Sequence, residues 1–126
     1  MNFAENDNVK IELLDGIIFF SYKEKNINIE VAKKTVQDRL QISKGINRPV
    51  FADIRKMNAV DNDAREYLAS KEAGQFIVAL AVFTNTPIQN LFANFYLKFS
   101  KPPMPTQLFT DKEKAIRWLK LYLQQN

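Results

Sequence analysis

The spacing of apolar and polar residues changes period several times along the chain, and each change marks an element. Val9, Ile11 and Leu13 alternate with Lys10 and Glu12, the period of two expected of a strand with one solvated face. Asp15-Gly16 follows, a dipeptide that tolerates positive φ and fits a two-residue hairpin turn. Ile17-Ile18-Phe19-Phe20 is apolar on both faces, so the second strand of the hairpin belongs inside a sheet. The period then lengthens. Asn28 caps a predicted helix over 29–43 that aligns Ile29, Ala32, Val36 and Leu40, and Gly45 supplies a left-handed residue at its end. Val50-Phe51-Ala52-Asp53-Ile54 is a short buried strand interrupted by one charge. Asp63-x-x-Glu66 has the form of a capping box, opening a helix with Ala64, Tyr67 and Leu68 inward and Gly74 as its stop. Phe76 to Phe83 is apolar throughout, as a central parallel strand is.

The second half is punctuated as clearly. Thr86-Pro87-Ile88-Gln89 combines a capping threonine, a proline at the first helical position and a glutamine three residues on. The helix it opens, over 87–99, carries Ile88, Leu91, Phe92, Phe95 and Phe99 on one face, while Tyr96 and Leu97 fall off that face. Lys101-Pro102-Pro103-Met104-Pro105 cannot continue a helix and predicts a rigid extended connection. Thr106 to Phe109 is a short strand, and Thr110-x-x-Glu113 a third capping box. Ala115, Trp118, Leu119, Tyr122 and Leu123 form the core face of a last helix. The order β-β-α-β-α-β-α-β-α predicts an α/β fold: a hairpin, then right-handed crossovers, giving a mixed β-sheet with packed helices. At 126 residues, without repeat or linker, the chain is expected to form one domain.

Composition narrows the chemistry. The chain has no cysteine, which removes disulfides and thiolate nucleophiles, and no histidine, the commonest metal ligand and the usual proton shuttle near neutrality. An enzyme would have to use carboxylates, lysines or tyrosines alone, so no catalytic residue, metal site or cofactor is expected. The net charge of +4 comes wholly from residues 98–126, because residues 1–97 hold 12 basic and 12 acidic side chains. On a helix at ~100° per residue, Lys112, Lys114, Arg117 and Lys120 spread over more than half the circumference. They form no stripe with interleaved aromatics, so nucleic acid is not an expected partner. The N-terminus lacks the basic and apolar blocks of a signal peptide. Phe76 to Phe83 is far short of the ~20 apolar residues that span a bilayer, and a cytoplasmic location without a membrane span is expected.

The order of elements and three local motifs resemble the STAS domain of anti-sigma-factor antagonists, and within it a SpoIIAA-like bacterial branch. The motifs are Leu108-Phe-Thr-Asp-Lys-Glu-Lys-Ala-Ile-Arg-Trp-Leu119, Lys101-Pro-Pro-Met-Pro-Thr106 and Val50-Phe-Ala-Asp-Ile-Arg55. The resemblance covers nearly the whole chain. It implies the fold, and in regulatory members it implies an Asp-Ser-Ser/Thr-Gly motif at a helix N-terminus where a kinase phosphorylates serine. The matching stretch here is Asp61-Asn62-Asp63-Ala64. Asn62 cannot accept phosphate, so the partner switch is expected to be missing. Related sheets occur in the lipid-binding CRAL-TRIO group, which implies a carrier of apolar ligands as the alternative.

Two groups of residues are candidates for binding. Asp53 and Arg55 end one strand, Thr84, Asn85 and Thr86 end its predicted parallel neighbour, and Asp61, Asn62 and Asp63 begin the helix between them. Ligands favour this edge of open α/β sheets, although a simple Asp53–Arg55 ion pair would also account for those two residues. The second group is the surplus apolar surface of helix 87–99, with Phe92, Phe95, Tyr96 and Phe99, which is either covered by the Pro-rich segment 101–105 or, if exposed, suits a homodimer face or the mouth of an apolar pocket. The sequence thus predicts a non-catalytic interaction or regulatory module with a protein partner or a second copy of itself. A small carrier domain for a lipid or other apolar molecule is the alternative.

Overall fold

The computed structural model describes residues 2–85 and 103–123. Its elements in chain order are β1 (Phe3–Glu5), β2 (Val9–Leu14), β3 (Ile17–Tyr22), β4 (Asn26–Ile27), α1 (Ile29–Ser43) and β5 (Arg48–Asp53). These are followed by β6 (Ala59–Val60), α2 (Asn62–Leu68), α3 (Lys71–Gly74), β7 (Ile77–Phe83), β8 (Thr106–Phe109) and α4 (Lys112–Lys120). Six strands form one sheet in the order β1-β2-β3-β5-β7-β8. The β1-β2 and β2-β3 pairs are antiparallel, and β3, β5, β7 and β8 run parallel. This is the mixed α/β sheet that the sequence predicts. The predicted helix over 87–99 lies outside the described residues.

Local chemistry explains the joints. Asp15 and Gly16 both have positive φ, 53° and 83°, as a hairpin turn matched to the twist of its strands requires. The Asn28 side chain accepts from the Val31 N–H at 2.8 Å and starts α1. That helix ends on Lys44 and Gly45, both left-handed.

Three boundaries differ from the sequence reading. Helix α2 starts at Asn62 behind Asp61, and the Asp63 carboxylate bonds the adjacent Ala64 N–H rather than closing a box with Glu66. It stops at Leu68, because the Ser70 hydroxyl accepts from the Ala73 N–H and caps a separate short helix. At α4 the Asp111 carboxylate, not Thr110, accepts from the Lys114 N–H.

The sheet is covered differently on its two faces. The crossovers from β3 to β5 and from β5 to β7 set α1 and α2 on one face. There Val9, Ile11, Ile18, Val50 and Val82 meet Ala32, Ile42 and Ala64. On the opposite face α4 lays Ala115 and Leu119 against Ile17, Phe51, Ala79, Ala81 and Phe83. The alanines let the helix approach closely, and the Phe19, Phe51 and Phe83 rings form a ladder with centroids 5.3 and 5.4 Å apart.

The inward stripe of α1 is rotated from the predicted one. Arg39 is buried at 2% exposure, while Leu40 is only half-buried. The Arg39 guanidinium donates to the carbonyls of Gln75 and Ala73, both at 2.8 Å, and so ties α1 to α3. Burial lowers its pKa to about 10, which leaves it charged at neutral pH.

Candidate functional site

Two cavities lie near the C-terminal edge of the parallel strands. The first is apolar, about 140 Å³ in volume, and sits between the sheet and the layer of α1, α2 and α3. Its floor is Phe20, Ala52, Leu80 and Val82, alternate residues of three adjacent strands. Its roof includes Val36, Leu68 and Ala73, and its end wall is Ile54, Met57 and Val60 from the segment that follows β5. Ala52 and Ala73 are small where neighbouring positions carry large side chains, which is how the space arises. The end wall is held by the two-stranded parallel pair β4-β6, reinforced by hydrogen bonds from the Asn58 and Ala59 N–H groups to the Lys25 carbonyl. Tyr22, Thr35 and Arg65 carry the polar groups of the lining. The Thr35 hydroxyl is already committed to the Val31 carbonyl at 2.8 Å.

The second cavity is polar, about 460 Å³, and lies over the ends of β3, β5 and β7. Asp53 and Arg55 form a forked pair there, with Nε at 3.0 Å and Nη2 at 2.8 Å from the two carboxylate oxygens. The Asp53 carboxylate also takes the Arg55 N–H, and the guanidinium stacks over the Phe83 ring at 4.6 Å. The hydrogen bond to Asp53 raises the Arg55 pKa further above its ordinary value. Lys10, Lys23 and Lys56 complete the cationic lining, with Ser21, Tyr22 and Asn85 as neutral polar groups.

The edge residues singled out in the sequence are thus only partly brought together. Asp53, Arg55 and Asn85 share the polar cavity. Thr84 is fully buried beside it, its N–H bonded to the Phe109 carbonyl. Asp61, Asn62 and Asp63 are exposed at the start of α2 and line neither cavity. Thr86, Phe92, Phe95, Tyr96 and Phe99 lie outside the described residues. Among the described residues no group of three or more acidic side chains is placed to hold a metal ion, and no helix is long and apolar enough to cross a membrane.

Residues 10–123 match the model of a family described as a domain of unknown function, DUF7793. The chain belongs to that family. No curated protein matches it. Among solved structures, this DUF7793 domain is similar to an uncharacterised protein of the DUF3478 family from Shewanella loihica PV-4, described as having a SpoIIAA-like fold. The TM-score is 0.70 at 16% identity, covering 92% of this chain and 98% of the other. At that identity the likeness establishes the fold: this DUF7793 domain has a SpoIIAA-like fold. A protein of unknown function from Arthrobacter sp. FB24 also matches, at 23% identity and a TM-score of 0.34, covering 88% of this chain and 98% of that one.

The apolar pocket of this DUF7793 domain was not legible in its sequence. A faint signal existed in Ile54, Met57 and Val60, large apolar residues recurring every third position among Arg55, Lys56, Asn58 and Ala59. The buried Arg39 gave no signal, because a basic residue on a surface helix ordinarily points to water.

Proposed function

We propose that this chain is a non-catalytic, cytoplasmic binding module whose apolar pocket takes up a small apolar molecule or the end of a longer apolar chain. The pocket between the sheet and α1–α3 is the observation that carries this reading. A volume of about 140 Å³ is of the size at which a dry apolar cavity admits a benzene-sized guest. The absence of histidine and cysteine supports a role without catalysis. The asparagine at position 62, at the start of α2, supports a module that has the scaffold of the anti-sigma-factor antagonists without their phosphorylated serine. Methyl-detected NMR tests the reading. Six- to ten-carbon alcohols and acids, and benzene itself, should shift the methyls of Ile54, Val60 and Val82 saturably. Ala52→Leu, which places a larger side chain in the space, should abolish those shifts. A panel that produces no saturable change in the parent protein would exclude the pocket as a binding site.

A second reading, contact with a protein partner or a second copy, is favoured by exposed apolar residues where the parallel strands begin. Leu14, Ile46, Phe76 and Leu121 are between 36% and 60% exposed. The Arg48 N–H bonds the Phe76 carbonyl, and Leu123 touches Gly16, so these residues belong to one end of the sheet. If that end self-associates, light scattering should give a dimer mass that Phe76→Glu reduces to a monomer. A monomer at all concentrations would leave only a foreign partner for this surface.

A further inference from the structure

The polar cavity suits a ligand of opposite character to the apolar one. Lys10 stands opposite Ser21, and Ser21 opposite Asp53, so three adjacent strands present these residues on one face at the C-terminal edge. Main contacts of α4 are with β5, β7 and β8, which leaves Lys10 and Ser21 beside that helix rather than beneath it. Four cations line the cavity against one carboxylate, and that carboxylate is already forked with Arg55. Lys10 lies 3.9 Å from Glu12, both side chains partly exposed, and at that separation the pair contributes little. Lys56 makes no ion pair among the described residues. Lys23 reaches across to Glu5 and the Asn6 carbonyl at the rim.

The cavity therefore keeps a positive excess, with the hydroxyl of Ser21 and the amide of Asn85 as neutral donors. We propose that it binds the phosphate group of a small phosphate-bearing molecule. Phosphate offers a near-double negative charge and three acceptor oxygens, which matches several spaced cations better than a single carboxylate does. The Asp53 pair with Arg55, stacked on Phe83, sets the position of one cation before any ligand arrives. The site adjoins the apolar pocket at Tyr22, which lines both, but it is built on the other face of the strands. Ser21 and Asp53 turn to the α4 face, whereas Phe20 and Ala52, their neighbours in sequence, turn into the pocket.

The test is backbone-amide NMR at constant ionic strength, titrating the protein with inorganic phosphate, with glycerol 3-phosphate and with vesicles containing phosphatidic acid. Saturable shifts at Ser21, Arg55, Lys56 and Asn85 with phosphate or its ester are expected. The Lys10→Glu, Lys56→Glu double variant should weaken binding roughly tenfold. Lys71→Glu, on α3 and outside the cavity, should leave it unchanged. An unaltered urea midpoint in the double variant would show that its fold is intact. The proposal is overturned if potassium chloride produces the same shifts, if the double variant binds as well as the parent, or if only the vesicles bind.

Discussion

On one face of the sheet, α4 lays Ala115 and Leu119 on a floor of alanines and phenylalanines; on the other, α1, α2 and α3 arch over a pocket. The strands are the same. Alternate residues make the difference, since Phe51 and Ala81 point to the filled side and Ala52 and Val82 to the hollow one. On the filled side the buried Ala79 and Ala81 of the sheet meet Ala115 and Leu119 of α4. On the hollow side the roof is three helices joined by a polar clamp, and Arg39 holds α3 through two carbonyls rather than through apolar contact. One layer can thus supply stability while the other keeps space for a guest, and the two roles need not compete for the same side chains.

The comparison is broken most forcefully by truncating one leucine on each side. Leu119 of α4 is fully buried among well-packed neighbours, so Leu119→Ala should cost about 3 kcal/mol or more in urea unfolding at constant slope. Leu68 of α2 borders the pocket and is only half-buried, so Leu68→Ala enlarges an existing space and should cost about 1 kcal/mol. Equal losses at the two positions would mean that the hollow side is as tightly packed as the filled one.

Enlargement is the sharper form of the same contrast. Ala81→Leu drives a larger side chain into the contact beneath α4 and should destabilise by about 1–3 kcal/mol. Ala52→Leu, one strand away and facing the other way, has room to be accommodated and should leave stability within about 1 kcal/mol of the parent. Its effect should appear in the ligand titration instead. If both enlargements destabilise equally, the pocket is not available space.

Much of this arrangement could be read from residue patterns, and the exceptions have physical causes. Periodicity located the hairpin, the two central parallel strands and the last helix, because burial on one or both faces leaves a direct record in which positions are apolar. Caps were read less well. Asp63 and Thr110 fit a box by spacing, yet Asp61 and Asp111 stand at the cap positions, since several neighbouring polar residues compete for the same N–H groups. The pocket was invisible because a cavity is a mismatch between distant side chains, here Ala52 on a strand and Ala73 on a helix, which no local pattern encodes. The polar edge was visible through Asp53 and Arg55, but its lysines were not, because Lys10 is placed there by register with Ser21 and Asp53 across three strands.

The smallest effect separates both faces from the edge they share. Among the described residues strand β1 pairs with β2 and rests Ala4 on the core, and its end is tied by surface charge: Glu5 pairs with Lys23, which also donates to the Asn6 carbonyl. The hydrogen bond and charge of Lys23 lower the Glu5 pKa below its ordinary 4.5. A carboxyl whose folded pKa is depressed contributes stability above its unfolded value and loses it as pH falls through the folded one. Acidification below pH 4.5 should therefore lower the protection factors of the β1 amides, exchange being corrected for its intrinsic pH dependence, before it affects either layer. Trp118, packed between Phe109 and Tyr122 on the filled side, should keep its fluorescence over that range. Glu5→Gln should remove the acid dependence of the β1 protection factors while leaving the contrast between Ala81→Leu and Ala52→Leu intact. If tryptophan emission shifts together with β1 exchange, the edge and the two faces open as one unit, and the separation drawn between them fails.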